Sequence, residues 1–384
     1  MSLICCFGCI SLCGCRNCVV RPLTFYPPRP CGYGVIAPNE GAPLKCKRKR
    51  WRKSNNPYGP TRLIIMLRDE RRKLTIRVPD VLSLYCDGKL SCEHVLFPGD
   101  INGFHFKHSL EDNPDGWTII FSHGNSTDIG YSWISYCYLA RRLKVDLIAY
   151  DYPGYGLNGG KPSESNTYNT IRAVYDFAVS SMGISPSNII LYGQSIGSGP
   201  AVDLYTKVPV GGLIMHSAIA SGLRVYKSYE RPRRTPWFDL YRNVEKLSDY
   251  FTEATPGRTA SPPPIFIIHG SDDEEVPFDH GLLLAEAVAG DRNSGRPGAL
   301  YPPWWVKGGT HNDIETRYRE QYFKHLKAFV RYLKTDPRPE PSSLSSPQLA
   351  VPRDASSSSD SSEGPPPPPS SSPPAAPPTD LVCS

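Results

Sequence analysis

The sequence predicts an α/β domain with a mostly parallel central sheet and helices on both faces. Three observations predict it. Short apolar, β-branched runs recur between stretches with helical periodicity, the alternation that parallel strands joined by crossover helices require. These runs contain few polar residues, as strands buried on both faces do. One of them, Asn188-Ile189-Ile190-Leu191-Tyr192, stops at Gly193-Gln194-Ser195-Ile196-Gly197 and continues into the small residues Ser198, Gly199 and Ala201, the pattern of a strand, a sharp turn and a closely packed helix.

The chain has 384 residues and an uneven composition. Residues 1–60 are rich in cysteine, proline and basic side chains, residues 61–336 read as one domain with ample core, and residues 337–384 place 14 prolines and 14 serines in 48 positions. Such a tail buries too little apolar surface to offset its ordering entropy and is expected to be disordered. Within it, Pro365 to Pro369 read as linker rather than docking site. The net charge of +6 is modest, but Lys45 to Lys53 holds seven basic residues in nine. A solvated surface, a sorting signal, an anionic membrane leaflet and nucleic acid are the competing readings of that cluster. The anionic membrane surface fits best with what precedes it, and no nucleic-acid partner is expected.

Cys5, Cys6, Cys9, Cys13, Cys15 and Cys18 are six of the twelve cysteines. A zinc or disulfide framework would need a histidine or a second matched pair, and a core to hold it; this stretch offers none. It also lacks the basic start and small-residue cleavage site of a secretory signal. The uncharged run before Arg16 is too short to span a bilayer. Reversible S-palmitoylation fits: exposed thiols in an apolar segment, with the basic cluster as a second membrane signal and several acyl chains giving a firm anchor. Ser2 excludes N-myristoylation, and Cys383 is misplaced for prenylation. The expectation is a peripheral, lipid-anchored protein without a transmembrane span. It is expected on the cytoplasmic face of membranes, the plasma membrane and endosomes among them. Cys31, Cys46, Cys86, Cys92, Cys137 and Cys383 lack metal spacing and are expected to be reduced thiols.

Early strands are expected within Leu63 to Leu67, Leu74 to Val78, Val81 to Tyr85 and Ile101 to Phe106. Trp117 to Phe121 is a clearer strand and runs into Ser122-His123-Gly124-Asn125. A helix near Ile129 to Arg142 leads to the strand Asp146 to Tyr150, which ends in the tight loop Asp151-Tyr152-Pro153-Gly154-Tyr155-Gly156. A helix over about Thr167 to Met182 precedes the strand that stops at Gly193, and the strand Gly212 to His216 follows it. The segment Leu223 to Tyr250 is basic and aromatic, with Arg231, Arg233, Arg234, Trp237, Phe238 and Tyr241. A cap over a pocket and a plain surface excursion suit it equally. Ile265 to Gly270 and Trp304 to Val306 read as the last strands. A closing helix over Thr316 to Lys334 sets Phe323, Leu326, Val330 and Leu333 on one face. Ala254 to Pro263 and Gly290 to Pro303 read as exposed loops.

Gly-x-Ser-x-Gly after a buried strand reads as a nucleophile elbow, in which two glycines allow a turn sharp enough to hold Ser195 strained, with its hydroxyl exposed. A serine hydroxyl is a poor nucleophile unless a histidine takes its proton and a carboxylate orients that histidine. Asp273 follows the run ending at Gly270, and His311 lies beyond the run ending at Val306. The order Ser, Asp, His is that of α/β-hydrolases. Asp272 is the alternative acid, and Glu274 and Glu275 read as solvent-facing. The backbone N–H groups of Ile196 and Asn125 are the expected oxyanion-hole donors. The His123 side chain reads as a packed loop histidine. Asp151 reads as structural, because it precedes Ser195 whereas the acid of this fold follows the serine. Asn125-Ser126-Thr127 matches a glycosylation pattern, and its position beside the site makes that a coincidence.

At these residues the chain resembles the membrane-anchored α/β-hydrolase-domain protein depalmitoylases, the abhydrolase domain-containing 17 family. The matching strings are Phe-Ser-His-Gly-Asn at 121–125, Asp-Tyr-Pro-Gly-Tyr-Gly at 151–156 and Ile-Ile-Leu-Tyr-Gly-Gln-Ser-Ile-Gly at 189–197. To these add Ile-Ile-His-Gly at 267–270, Phe-Asp-His-Gly at 278–281 and Gly-Thr-His-Asn-Asp-Ile-Glu at 309–315. The similarity runs from about residue 115 to 334, and the cysteine-rich start looks like the family's acylated anchor. The resemblance implies the α/β-hydrolase fold and a serine hydrolase that removes palmitate from cysteine thioesters of membrane-bound proteins. It also implies a triad of Ser195, Asp273 and His311 and no metal or organic cofactor. The long basic N-terminal region, the two loop excursions and the proline-serine tail depart from the family. A lipid or small-ester hydrolase using the same triad, or a non-catalytic scaffold on the same fold, are the rival readings, with a peptidase behind them.

Overall fold

In a computed structural model, residues 21–36, 64–69, 74–77, 89–226, 234–252, 262–289 and 298–335 are described. Contacts divide the chain into Met1–Leu344 and Ser345–Ser384. The proline-serine tail, the six N-terminal cysteines, the basic cluster and the expected strand Val81 to Tyr85 lie outside the described residues. So do Arg231, Arg233 and most of the two loop excursions.

β1 (Tyr33–Ile36), β2 (Ile64–Asp69) and β3 (Leu74–Arg77) form an antiparallel three-stranded sheet in that order. The main sheet contains β4 (Leu90–Phe97), β5 (Ile101–His108), β6 (Thr118–Ser122), β7 (Asp146–Tyr150), β8 (Ile189–Gln194), β9 (Gly212–His216), β10 (Ile265–Gly270) and β11 (Trp304–Val306). Its order is β11-β10-β9-β8-β6-β7-β5-β4. β6 to β11 run parallel, while β5 pairs antiparallel with both β7 and β4. The fold is therefore the expected α/β-hydrolase type, with a mostly parallel sheet.

The helices are α1 (Trp133–Leu143), α2 (Glu164–Ser180), α3 (Ser198–Tyr205), α4 (Gly222–Tyr226), α5 (Asn243–Thr252), α6 (Asp279–Val288), α7 (Ile314–Arg317) and α8 (Arg319–Thr335). Successive strand residues point to opposite faces, so the inner strands serve two cores. Ile120, Ile148, Leu191, Leu213, Met215, Ile265 and Ile267 face α2, α3, α5 and α6. Their neighbours Ile119, Phe121, Ile190, Tyr192, Ile214, Phe266 and Ile268 face α1 and α8. Strands buried on both faces need side chains apolar at nearly every position. This is why β7, β9 and β10 stand out in the sequence, and β7 and β9 keep their expected bounds.

Elsewhere the sequence reading needs correction. β4 and β1 were not anticipated, because the alternating polar residues of Leu90 to Phe97 and the brevity of Tyr33 to Ile36 leave a weak signal. The first helix begins at Trp133 rather than near Ile129. The Asp128 carboxylate accepts hydrogen bonds from the backbone N–H groups of Gly130 and Tyr131, at 2.9 and 3.0 Å, and this turn delays the helix. The closing helix is broken at Tyr318 into α7 and α8. Within the segment after β9, the buried Arg224–Glu245 pair at 3.1 Å joins α4 to α5, and Leu240 and Tyr241 enter the core. Among the described residues, no helix is long and apolar enough to cross a membrane.

Candidate active site

Ser195, Asp273 and His311 all follow the C-terminal ends of parallel strands, β8, β10 and β11, and so rise from the same edge of the sheet. Ser195 has φ of 52°, the left-handed region that a side-chain-bearing residue rarely enters. Two glycines make that turn possible. A Cβ on Gly193 would lie 2.6 Å from Cα of Ser198, and one on Gly197 would lie 2.1 Å from the carbonyl oxygen of Ser122. The Ser198 hydroxyl donates to the Ser195 carbonyl at 2.6 Å and accepts from Ile219 N–H at 3.1 Å, tying the turn to the loop after β9. Of the small residues after the elbow, Gly197, Ser198 and Ala201 crowd the strands as expected, whereas Gly199 makes room for the Tyr241 ring.

His311 joins the serine to the acid. Its Nε2 lies 3.0 Å from Ser195 Oγ, and its Nδ1 lies 2.8 and 3.0 Å from the two carboxylate oxygens of Asp273. An ionised carboxylate only accepts, so Nδ1 carries the proton and Nε2 keeps a lone pair for the serine hydroxyl. Asp273 is held in turn by the backbone N–H groups of Glu275 and Val276, at 3.1 and 2.8 Å. The alternative acid, Asp272, is exposed and accepts from the Ser271 hydroxyl at 2.7 Å. Glu275 is also exposed but not idle: it accepts from Asn312 Nδ2 at 2.6 Å and stands 3.9 Å from His311 Nε2.

The electrostatics agree with the distances. Burial pushes the Asp273 carboxyl up, but the hydrogen bond and charge of His311 outweigh it and hold the group below the ordinary carboxylate range. Burial pushes His311 down, and the hydrogen bond and charge of Asp273 more than reverse this, leaving it above an ordinary imidazole. Three other buried histidines go the opposite way. Burial lowers His269, takes His280 to about 4, and takes His216 to about 3 with help from the charges of His311 and His269. His311 is thus the imidazole poised to gain a proton.

The loop after β6 forms the other wall. A Cβ placed on Gly124 would lie 4.0 Å from Cβ of Ser195, so this loop passes directly beside the nucleophile position. Of the two expected oxyanion donors, the Asn125 N–H makes no turn or loop backbone hydrogen bond among the described residues, and Ile196 lies in the short helical turn Ser195–Gly197 that follows β8. The Asn125 side chain is engaged in the protein at both ends: Nδ2 donates to Thr24 O at 2.7 Å, and Oδ1 accepts from Tyr26 N–H at 2.9 Å and the Tyr155 hydroxyl at 2.8 Å. His123 is fully buried, donates from Nδ1 to Gly124 O at 2.7 Å, and packs its ring 4.2 Å from that of Tyr152. Asp151 accepts from the Tyr33 hydroxyl at 2.7 Å and Ile129 N–H at 3.2 Å and stands 3.4 Å from His123 Nε2.

Two carboxylates escaped the sequence reading. Asp128, pushed to about 6 by burial and the nearby charge of Asp151, accepts from Gly32, Gly130 and Tyr131 N–H. Glu315, pushed by burial to about 7, accepts from Gln194 Nε2 at 3.1 Å, so the residue before the nucleophile is tied to the segment after His311. The string Thr310-His311-Asn312-Asp313-Ile314-Glu315 contained the only hint of the second. Nothing local marked the first. Cys31, Cys92 and Cys137 are thiols, not disulfides.

Residues 119–336 match the model of the alpha/beta hydrolase family. The chain is 32% identical over 341 residues to mouse (Mus musculus) alpha/beta hydrolase domain-containing protein 17C, covering 86% of this chain and 93% of that one. It is 38% identical over 214 residues to the human (Homo sapiens) protein 17B, covering 56% of this chain and 66% of that one. Among solved structures, the Pyrococcus furiosus esterase Pf2001 matches at 15% identity and a TM-score of 0.48, over 66% of this chain and 95% of that one. With more than half of the chain inside the family model and a relative matched along nearly its whole length, the chain belongs to the alpha/beta hydrolase family, beside the proteins named alpha/beta hydrolase domain-containing 17.

Proposed function

We propose that this hydrolase is a serine enzyme that cleaves palmitoyl thioesters from S-acylated membrane proteins through an acyl-enzyme. The observation that carries the reading is the continuous hydrogen-bonded chain Ser195–His311–Asp273, set on a turn held at positive φ. His311 Nε2 takes the Ser195 proton as Oγ attacks the thioester carbonyl, and the N–H groups of Ile196 and Asn125 receive the oxyanion. The tetrahedral centre collapses, the C–S bond breaks, and His311 returns its proton to the leaving thiolate. Water then gives a proton to His311 and attacks the acyl-serine; the fatty acid leaves and Ser195 recovers its proton. Asp273 holds the imidazole tautomer and stabilises its charged form.

Choice of a palmitoyl thioester over a lipid or small ester rests on the resemblance of the sequence strings to the depalmitoylase family, since the three side chains do not separate the two. Ser195→Ala should abolish labelling by a fluorophosphonate probe and turnover of a palmitoylated peptide, with the thermal midpoint unchanged. Undiminished labelling would refute the serine assignment, and faster turnover of a lysophospholipid than of the palmitoylated peptide would replace the substrate.

His311 must be neutral to accept the serine proton. Its upward shift means that kcat/KM should fall as pH drops through a value above that of a free imidazole. Asp273→Asn removes the strongest upward influence on His311 and leaves burial opposed only by the charges of Glu275 and Glu274, so the acidic limb should move to lower pH while the rate falls by about 10⁴. Limbs at the same pH in both proteins would contradict the pairing.

The N-terminal cysteines are proposed as the acylated anchor, with Lys45 to Lys53 meeting an anionic membrane surface. Serine at Cys5, Cys6, Cys9, Cys13, Cys15 and Cys18 together should move the protein into the soluble fraction. Unchanged membrane retention would show that something else holds it there.

A further inference from the structure

The segment 21–36 is laid along the loop that passes Ser195. Asn125 is gripped by Thr24 O and Tyr26 N–H, at 2.7 and 2.9 Å. Three residues on, Asp128 accepts from Gly32 N–H at 2.7 Å, and the Tyr131 hydroxyl donates to Pro30 O at 3.1 Å. At the far end the Tyr33 hydroxyl donates to Asp151, which also accepts from Ile129 N–H in the same loop. Phe25 is buried, with its ring 6.4 Å from that of Tyr241, the ring that fills the space beside Gly199. Both walls of the nucleophile turn therefore lean on this strap.

We propose that the strap is a working part of the active site, and that the Asn125 side chain is the positioning residue through which it holds the loop's backbone N–H in place for the oxyanion. An amide suits the task where other side chains do not. Its oxygen accepts from Tyr26 N–H and the Tyr155 hydroxyl while its nitrogen donates to a carbonyl, and a carboxylate cannot make that last bond. The loop has no strand or helix of its own between β6 and α1, so these bonds fix its course. An oxyanion donor acts only when aimed where charge develops, and a displacement of about 1 Å can lower the rate about a hundredfold. The stretch 21–36 is thus more than a tether: it sets the geometry of catalysis.

This inference rests on the serine-hydrolase reading, and the test separates the two. Full-length wild type, Ser195→Ala, Asn125→Asp, Asn125→Ala and Tyr155→Phe are compared on a water-soluble thioester. Each is also tested for inhibition by an alkyl boronic acid, whose tetrahedral adduct on serine carries a negative oxygen. Wild type active with Ser195→Ala inactive establishes the chemistry. The strap then predicts that both Asn125 variants lose about tenfold to a hundredfold in kcat with KM within about twofold. The boronate inhibition constant should rise by the same factor, because substrate binding does not use the oxyanion donors and the adduct does. Tyr155→Phe, which keeps the ring and removes one of the two donors to Asn125 Oδ1, should lose several-fold in both. Unchanged kcat, or a fall in kcat with unchanged boronate affinity, overturns the proposal. If the Asn125 variants fail to fold, Tyr155→Phe decides it on the same two readouts.

Discussion

The site depends on one buried carboxylate having enough partners. Asp273 lies under the surface, where an isolated charge would be expensive, and it remains ionised because two backbone N–H groups and His311 all donate to it. Its charge fixes which His311 nitrogen bears the proton and raises the basicity of the ring, and that leaves a lone pair facing Ser195. Remove the carboxylate, and burial would make His311 a weaker base, as burial chiefly does for His216 and His280. The sheet's part is to bring the three carriers within reach by ending β8, β10 and β11 on the same side.

Carboxylates recur as architecture around this centre. Asp128 and Asp151 organise the loop after β6 and its strap, and Glu315 ties the residue before the nucleophile to the segment after His311. Asp128 in particular turns irregular backbone into a fixed surface, because its one carboxylate satisfies three N–H groups that no strand or helix pairs. Rigidity at the nucleophile is built the same way from a hydroxyl: Ser198 bonds the Ser195 carbonyl on one side and Ile219 N–H on the other. The strained turn persists because its surroundings over-determine it.

The parts legible in the sequence were those with local signatures. β7 and β9 could be bounded because every residue in them is buried, and Ser195, Asp273 and His311 could be singled out because the fold fixes both their order and their place after strands. What escaped was set by distant contacts. The strap lies about a hundred residues from the loop it holds, and no pattern near Thr24 or Tyr26 announces that Asn125 will bond them. β4 is half exposed and so lacks the apolar run that marks the inner strands. The start of α1 was misplaced because Asp128 ends a turn through long-range bonds to Gly32 as well as local ones. Glu275 read as solvent-facing, and its exposure bears that out, but its tie to Asn312 beside the base was invisible until the loops were folded.

The most direct measurement is intact-protein and peptide mass spectrometry of enzyme mixed with a palmitoyl thioester and quenched within the first turnover. The account predicts one palmitoyl group on the peptide containing Ser195. As an oxygen ester it should survive neutral hydroxylamine, which strips thioesters from cysteines. Turnover with no acyl group on Ser195, or with the transient acyl group on another side chain, would contradict it.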